Sequence, residues 1–510
     1  MIETTPRNNL SVRIEPTAPY ETAQIFCERR AGKANEALIR YRSTWYLWTG
    51  TCYRKVDTES VRAELWEFLA GALARMKRVV PADGEDGQTR VEWVDRPFRP
   101  QPEDVNKLYD ALMARPEIRV ADAVSAPGWL STGSGSHKPG DMLPCSNTLV
   151  DLITGEQLPH TPYFLTMNAV DYAHDPAAAC PRFEQFLSEI FPGSAAQRPE
   201  DYDTWDDERK DAQQRRELVQ EIFGYLLSLD TSQQKLFLFM GKPRSGKGTL
   251  ARVLRRLIGA ANVIGFSLDS LDNDFGAEDL IDKQVAIVGD ARLDGRTHKQ
   301  VSRLLSYSGE DAVTINRKNE KKWHGTLGVR FLILTNPLLH FTDASGVIAT
   351  RFVPVLFSES FLGRENDKLS EELLAELPGI LNWGIAGLRR LRERGRFVLP
   401  PSSLDVLARI AKKAAPVLNF IEDECELGPD CSIKRDPLFE QYNMWCETSG
   451  HRPMSKSAFV TALEDADPSI KCRRPSAEDG SDQRPYVFFG IKLRGIGGSK
   501  VVPIGNRHAA

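Results

Sequence analysis

Five consecutive apolar residues, LFLFM at 236–240, run directly into GKPRSGKGT (241–249), which opens the amphipathic stretch TLARVLRRLIG. No other feature narrows the fold as far. An apolar run this short reads as a strand buried on both faces, the condition of a strand inside a parallel sheet covered by helices. Gly241, Gly246 and Lys247 hold their places in the pattern G-x-x-x-x-G-K-[ST]. In that pattern backbone N–H groups close around phosphate oxygens, the helix N-terminus adds partial positive charge, and the lysine reaches the β- and γ-phosphates. Ser245 and Gly248 complete the candidate loop. Gly248 stands where the pattern has a hydroxyl, so the hydroxyl for magnesium is expected from Thr249. Further apolar runs, VAIVG (285–289) and VRFLILTN (329–336), are separated by helical stretches, and a parallel α/β sheet is expected.

A length of 510 residues suffices for about three domains. The formal charge of −4 excludes a protein that coats nucleic acid with its whole surface, so any such contact must come from local patches. No run of about 18 apolar residues is present, and no membrane span is expected. The N-terminus lacks a basic start followed by an apolar core, and the eight cysteines are scattered without a CxxC pair. Reduced thiols and a cytoplasmic location follow. Cys425, Cys431, Cys446 and His451 are a conceivable zinc set, but their spacing fits no closed motif well.

Composition divides the chain into a polar leader (1–20) expected to be disordered, an N-terminal mixed α+β domain (21–230), the P-loop core (231–398), a C-terminal module (399–495) and a tail (496–510). TWYLWTGTCYRKV (44–56) reads as a hairpin turning at Gly50. Residues 81–100 read as a Pro/Gly/Asp-rich connection, 102–120 as a helix and 124–147 as a loop. NTLVDLITGEQL (147–158) reads as strand–turn–strand. Residues 183–230 read as helical, broken by the acidic stretch near 200–209. Segments 366–396, 402–426, 435–447 and 455–466 read as helices and 471–494 as a hairpin, the pattern of a winged helix.

Four further motifs carry chemistry. QVAIVGDAR places Asp290 at the end of an apolar strand, where a carboxylate holds magnesium and orients water, or is merely a solvated strand end. Gly289 precedes it, so no second acid marks the catalytic base. VRFLILTNP ends in Asn336, suited to positioning the attacking water, although Asn-Pro is also a turn signal. In DASGVIATRF, Arg351 interrupts an apolar run; it is either buried in an ion pair or presented to a neighbouring subunit's nucleotide. VTINRKNEKKWHGTLGVR (313–330) reads as strand, charged tip, strand. Its Arg317, Lys318, Lys321, Lys322 and Arg330 outnumber Glu320 by four charges. With Trp323 and His324 it makes a hairpin able to grip a phosphate backbone, or else a solvated hairpin end.

Together, GKPRSGKGT, VAIVGDAR, INRKNEKK, LILTN and DASGVIATRF resemble a superfamily 3 helicase. More narrowly they resemble the helicase half of phage and plasmid primase-helicases related to the poxvirus primase-helicase. NTLVDLITGE with ACPRFEQFLSEIF, ELPGILNWGIAGLRRL and the tail from about 402 extend the likeness to roughly residues 20–495. The resemblance implies an AAA+-like hexameric ring that hydrolyses ATP at subunit interfaces and moves along single-stranded or forked DNA in replication of a mobile element. It implies that Lys247 and Thr249 hold ATP and magnesium, that Asp290 is the acid after the P-loop and Asn336 the sensor, and that Arg351 is a finger acting in trans. It puts Lys318, Lys321, Lys322 and His324 on the pore hairpin. No block of polymerase size precedes the resemblance, so primer synthesis is expected from a separate primase or polymerase. The GKGT ending keeps a nucleotide kinase open as an alternative, as does a non-motor ATP-binding assembly or origin-binding ring.

Overall fold

The structure, a computed structural model, describes residues 12–31, 37–81, 89–121, 124–130, 137–192, 202–289, 298–318, 321–336, 347–414, 416–449, 453–474 and 485–495. At its centre lie five strands: β1 (Leu236–Gly241), β2 (Val263–Gly265), β3 (Val285–Val288), β4 (Arg330–Thr335) and β5 (Phe352–Phe357). They form a parallel sheet in the order β2-β3-β4-β1-β5, as expected for the α/β core. Because β4 is inserted between β1 and β3, the strand ending before Asn336 lies beside the strand that enters the P-loop.

The unbroken apolar run of β1 has a direct cause. Successive side chains point to opposite faces, and both faces are buried. Phe237 and Phe239 join one core with Leu250 and Leu254 of the helix Lys247–Ile258 and with the long helices Tyr202–Leu227 and Leu377–Arg394. Leu236, Leu238 and Met240 join the other, with Leu304 of the helix His298–Ser308 and Val406 of the helix Pro401–Ala414. The two long helices approach so closely that a Cβ on Gly224 would lie 2.2 Å from the Gly384 carbonyl oxygen. Beside that contact the buried Glu221 carboxylate is held by Arg390, at 2.7 Å, and by Arg394.

The N-terminal region carries the expected hairpin, Thr44–Trp48 with Tyr53–Val56, and Gly50 between them takes φ +93°. Leu38–Tyr41 adds a third strand. Leu149–Asp151 and Gln157–Leu158 pair as expected. Three readings need correction. The leader is partly built in: Arg13 and Ile14 pair with Leu73 and Ala74, and a helix starts at Pro19, whereas residues 1–11 lie outside the described residues. The supposed connection at 81–100 contains a strand, Thr89–Pro97, paired along Leu73–Pro81. There the β-formers Val91, Trp93 and Val94 prevail, and the Gly/Asp-rich part, 82–88, lies outside the described residues. Residues 183–230 hold two separate helices, Pro181–Ile190 and Tyr202–Leu227, but from Tyr202 the acidic stretch is itself helical and opens the second of them.

Beyond the core, helices Pro416–Glu424, Arg435–Ser449 and Lys456–Ala466 pack on a three-stranded antiparallel sheet. The expected hairpin supplies Lys471–Arg473 and Val487–Leu493, and Cys425–Lys434, a strand the sequence pattern did not suggest, pairs on the other side of Val487–Leu493. The tail 496–510 lies outside the described residues. Among the described residues no helix is long and apolar enough to cross a membrane, and no cluster of three potential metal ligands occurs; His451 is not among them.

Candidate nucleotide site and basic hairpin

The loop between β1 and its helix is shaped by two glycines. Gly241 leaves the strand beside β5, where a Cβ would stand 2.0 Å from the Phe357 carbonyl oxygen. Gly246 caps the helix at φ +93°, and a Cβ there would meet the Ile190 side chain at 2.8 Å. That cradle of backbone N–H groups at a helix N-terminus fits a polyphosphate. It is braced from outside: Arg244 accepts from the Phe361 N–H at 2.8 Å through its carbonyl, and the Ser360 hydroxyl donates to the Pro243 carbonyl at 2.9 Å.

Lys247 is 7% exposed and folds back into the loop. Its ammonium donates to the carbonyls of Gly241 at 2.8 Å and Lys242 at 2.6 Å, and to the Ser245 hydroxyl at 3.0 Å. All three partners are neutral, so nothing balances the charge, and burial pushes the ammonium down to about 8. Gly248 is exposed, with no atom within 4 Å of the position a Cβ would take, so sterics do not require glycine in the hydroxyl slot. The Thr249 hydroxyl accepts from Arg252 at 3.0 Å, and a guanidinium at that distance competes with a divalent cation for the same oxygen.

Register brings Asn336 to the same edge. Met240 pairs with Thr335, so the exposed Asn336 follows at the level of Gly241. Strand β3 runs parallel to β4, with Val288 opposite Ile333, and leads to Asp290, which lies outside the described residues. Arg351 is elsewhere. It immediately precedes β5, whose first residue pairs with Leu236 at the opposite end of β1 from the P-loop. Its guanidinium donates to the Gln234 side-chain oxygen at 2.6 Å and carbonyl at 3.3 Å. Six residues of strand separate that level from Gly241, about 20 Å at about 3.3 Å per residue. Among the described residues, Arg351 makes no ion pair and does not reach its own nucleotide loop. Gln234, held at φ +50°, is a partner that sequence reasoning missed; no residue-type pattern marks it.

The basic hairpin is present: Ala312–Ile315 pairs with Trp323–Thr326, and the Thr314 hydroxyl meets His324 Nδ1 at 2.8 Å. Lys318, Lys321, Lys322 and His324 are exposed and Arg317 is half-buried; Glu320 lies outside the described residues. Arg330 does not belong with them. It is 3% exposed, and its guanidinium donates to the carbonyls of Leu226 (3.1 Å), Gly328 (3.1 Å) and Ser228. Those bonds, with others from the Gln284 amide, close the C-terminus of the helix Tyr202–Leu227. Burial pushes the Arg330 guanidinium down to about 10.

Three family models match separate parts of the chain. Residues 23–192 match the model described as D5 N terminal like, and residues 412–468 match Poxvirus D5 protein-like. Residues 239–351, from the P-loop strand to Arg351, match a family of unknown function, DUF5906. The P-loop core is thus flanked on both sides by D5-like sequence. No curated protein matches the chain. Among solved structures, the A form apo structure of the NrS-1 C terminal region aligns with 94% of this chain and 100% of its own, at 11% identity and TM-score 0.45. An apo structure of the same region aligns with 94% and 99%, at 12% identity and TM-score 0.45.

Proposed function

We propose that the chain is an ATP-driven DNA helicase of the superfamily 3, D5-like primase-helicase type, acting as an AAA+-like ring in the replication of a phage, plasmid or other mobile element. The observation that carries this reading is the separation of Arg351 from the P-loop of its own chain. An arginine about 20 Å along the sheet from its own P-loop, beyond a side chain's reach, has a catalytic use only toward a second subunit. The D5-like segments on both sides of the core support a replication role.

Within each site the backbone of 241–248, with Ser245 and Lys247, holds the phosphates. Asn336 orients the attacking water, and Arg351 of a neighbouring subunit meets the charge that develops on the transferred phosphoryl group. Asp290 and Thr249 are the candidate holders of magnesium, which when bound neutralises charge between the β- and γ-phosphates. Lys318, Lys321, Lys322 and His324 line the channel for single-stranded DNA, so a slightly acidic chain still presents a basic pore. The C-terminal three-helix module on its antiparallel sheet is read as a winged helix.

The test is forked-duplex unwinding by wild-type protein mixed with rising fractions of Arg351→Ala. Unwinding is expected to fall more steeply than the mutant fraction, because each variant subunit disables a neighbour's site. A proportional fall, or turnover indifferent to the variant, refutes shared sites and returns weight to a kinase or an assembly ring.

A further inference from the structure

A cleft of about 340 Å³ separates the N-terminal three-stranded meander from the base of the basic hairpin. Its size suits a nucleotide unit and is too small for a duplex. From the meander come Arg42 and Lys55; from the core come Asp282, Arg317 and Trp323. Lys283 also lines it, and its ammonium donates to the Ala261 carbonyl at 2.8 Å. Asp282 feels the attraction of all four cations, and even after it is counted the wall keeps a positive excess.

Two features set this cleft apart from an ordinary seam between domains. The first is backbone strain at, and next to, residues that line it. Arg42 and Ser43 form the two-residue turn between Leu38–Tyr41 and Thr44–Trp48, with φ of +46° and +67°. Turns of this kind favour Asn-Gly, because both positions are left-handed. An arginine held there, with its guanidinium 5.1 Å from the centre of the Tyr41 ring, gives up backbone comfort for a charge at the cleft. Asp282, on the opposite wall, is likewise left-handed at φ +62°. The second is continuity. Trp323 pairs with Ile315 at the hairpin base, and Arg317 is followed directly by the exposed Lys318. The cations of the cleft therefore extend the track of Lys318, Lys321 and Lys322.

We propose that this cleft is a second backbone site for single-stranded DNA, in which Arg42, Lys55 and Arg317 hold phosphates of the strand that the hairpin lysines contact, with Trp323 as a stacking surface. Asp282 spaces the cations and keeps the empty cleft from repelling itself. The inference rests on the DNA-motor reading and adds to it a contact made by the N-terminal domain. Strand capture then depends on both sides of the cleft, and anything that separates them releases the strand.

The experiment measures oligo(dT) binding by fluorescence anisotropy across a salt series. It compares wild type, Arg42→Gly with Lys55→Met, and a hairpin variant with Lys318, Lys321 and Lys322 all changed to Ala. Loss of two single-strand phosphate contacts is expected to reduce the slope of log K against log salt by about 1.4. Glycine relieves the left-handed backbone at position 42, so the melting temperature of that variant is expected to hold or rise while its binding weakens. Lys55→Met alone, which keeps the side-chain stem, is expected to lose about half of that slope. Wild-type affinity and slope in the cleft variants, alongside lost binding in the hairpin variant, overturn the proposal and leave the motor reading standing. No binding of oligo(dT) by wild type overturns both.

Discussion

The ammonium of Lys247 is the most perturbed group at the candidate nucleotide site, and on the proposed reading ATP binding there is a proton-linked event. Burial without a counter-ion lowers it from 10.5 to about 8. At about 1.4 kcal/mol per unit, charging this lysine in the nucleotide-free loop costs about 3 kcal/mol relative to water. A polyphosphate supplies the missing counter-charge and returns the lysine toward its ordinary range. At pH 7 and below the lysine is already largely protonated and affinity is flat. Above it, binding must take up a proton, and affinity falls with the protonated fraction, to about 30-fold weaker at pH 9.5 than at pH 7. The window avoids the titration of the nucleotide itself, since phosphate second ionisations lie near 6. The check is isothermal titration with a non-hydrolysable ATP analogue at several pH values, in buffers of different ionisation enthalpy. About half a proton should be taken up per site at pH 8. Lys247→Arg, charged throughout, should lose this pH dependence. Affinity unchanged between pH 7 and 9.5, with no proton uptake, refutes the reasoning. Linkage to folding has a definite sign as well: between pH 8 and 10.5 the unfolded chain holds more protons at this group, so its contribution makes stability rise with pH.

Gly248→Ser places a hydroxyl in open space, so the fold should hold or gain about 0.5–1 kcal/mol from replacing a helical glycine. The magnesium titration of ATPase activity should shift to lower concentration, and an unshifted curve would sink the idea that the empty hydroxyl slot limits metal binding. Gly241→Ala drives a Cβ to within 2.0 Å of the Phe357 carbonyl and should cost both melting temperature and ATP binding; a variant that melts and binds like wild type contradicts the packing of β1 on β5. Arg330→Met leaves carbonyls of Leu226, Gly328 and Ser228 short of donors, and urea unfolding should show a loss of about 2–4 kcal/mol. Oligo(dT) affinity of the folded Arg330→Met protein should match wild type, whereas a weakened affinity would return Arg330 to the hairpin.

Much of the core was legible because its signals are local. A five-residue apolar run before a glycine loop admits few folds, and the strands ending at Asn336 and before Asp290 announce themselves by the same unbroken hydrophobicity. Arg330 shows where such reading fails. In the sequence it closes a basic stretch, and only the packing of Leu226 and Ser228 against the start of β4 makes it a buried cap. Thr89–Pro97 was hidden by the composition of its neighbours, since a window containing PADGEDG averages away the strand that follows. Arg42 was invisible for a different reason. A left-handed turn normally advertises itself through Asn or Gly, and here the charged side chain took the place of the turn-former. Arg351 was found as a residue, but its place at the opposite end of β1 from the P-loop needed the register of β5 on β1.

Strand β4 ties these parts together. Its last residue, Thr335, is buried beside Met240 and precedes Asn336 at the nucleotide edge. Its first residue is Arg330, pinned to the end of the helix Tyr202–Leu227. Only Leu327, Gly328 and Val329 separate it from the basic hairpin, and Leu327 and Val329 are buried in the same core. A strand bonded on both sides and buried on both faces does not stretch. If Asn336 follows the γ-phosphate, as proposed, a shift there is delivered to the hairpin as a displacement of its base rather than dissipated along the way. The buried Arg330 guanidinium is tolerated because the carbonyls of Leu226, Gly328 and Ser228 accept from it. It fixes the far end of the strand to the helix Tyr202–Leu227, so on the proposed reading any displacement carried along the strand reaches the hairpin and the cleft at Arg317 and Trp323.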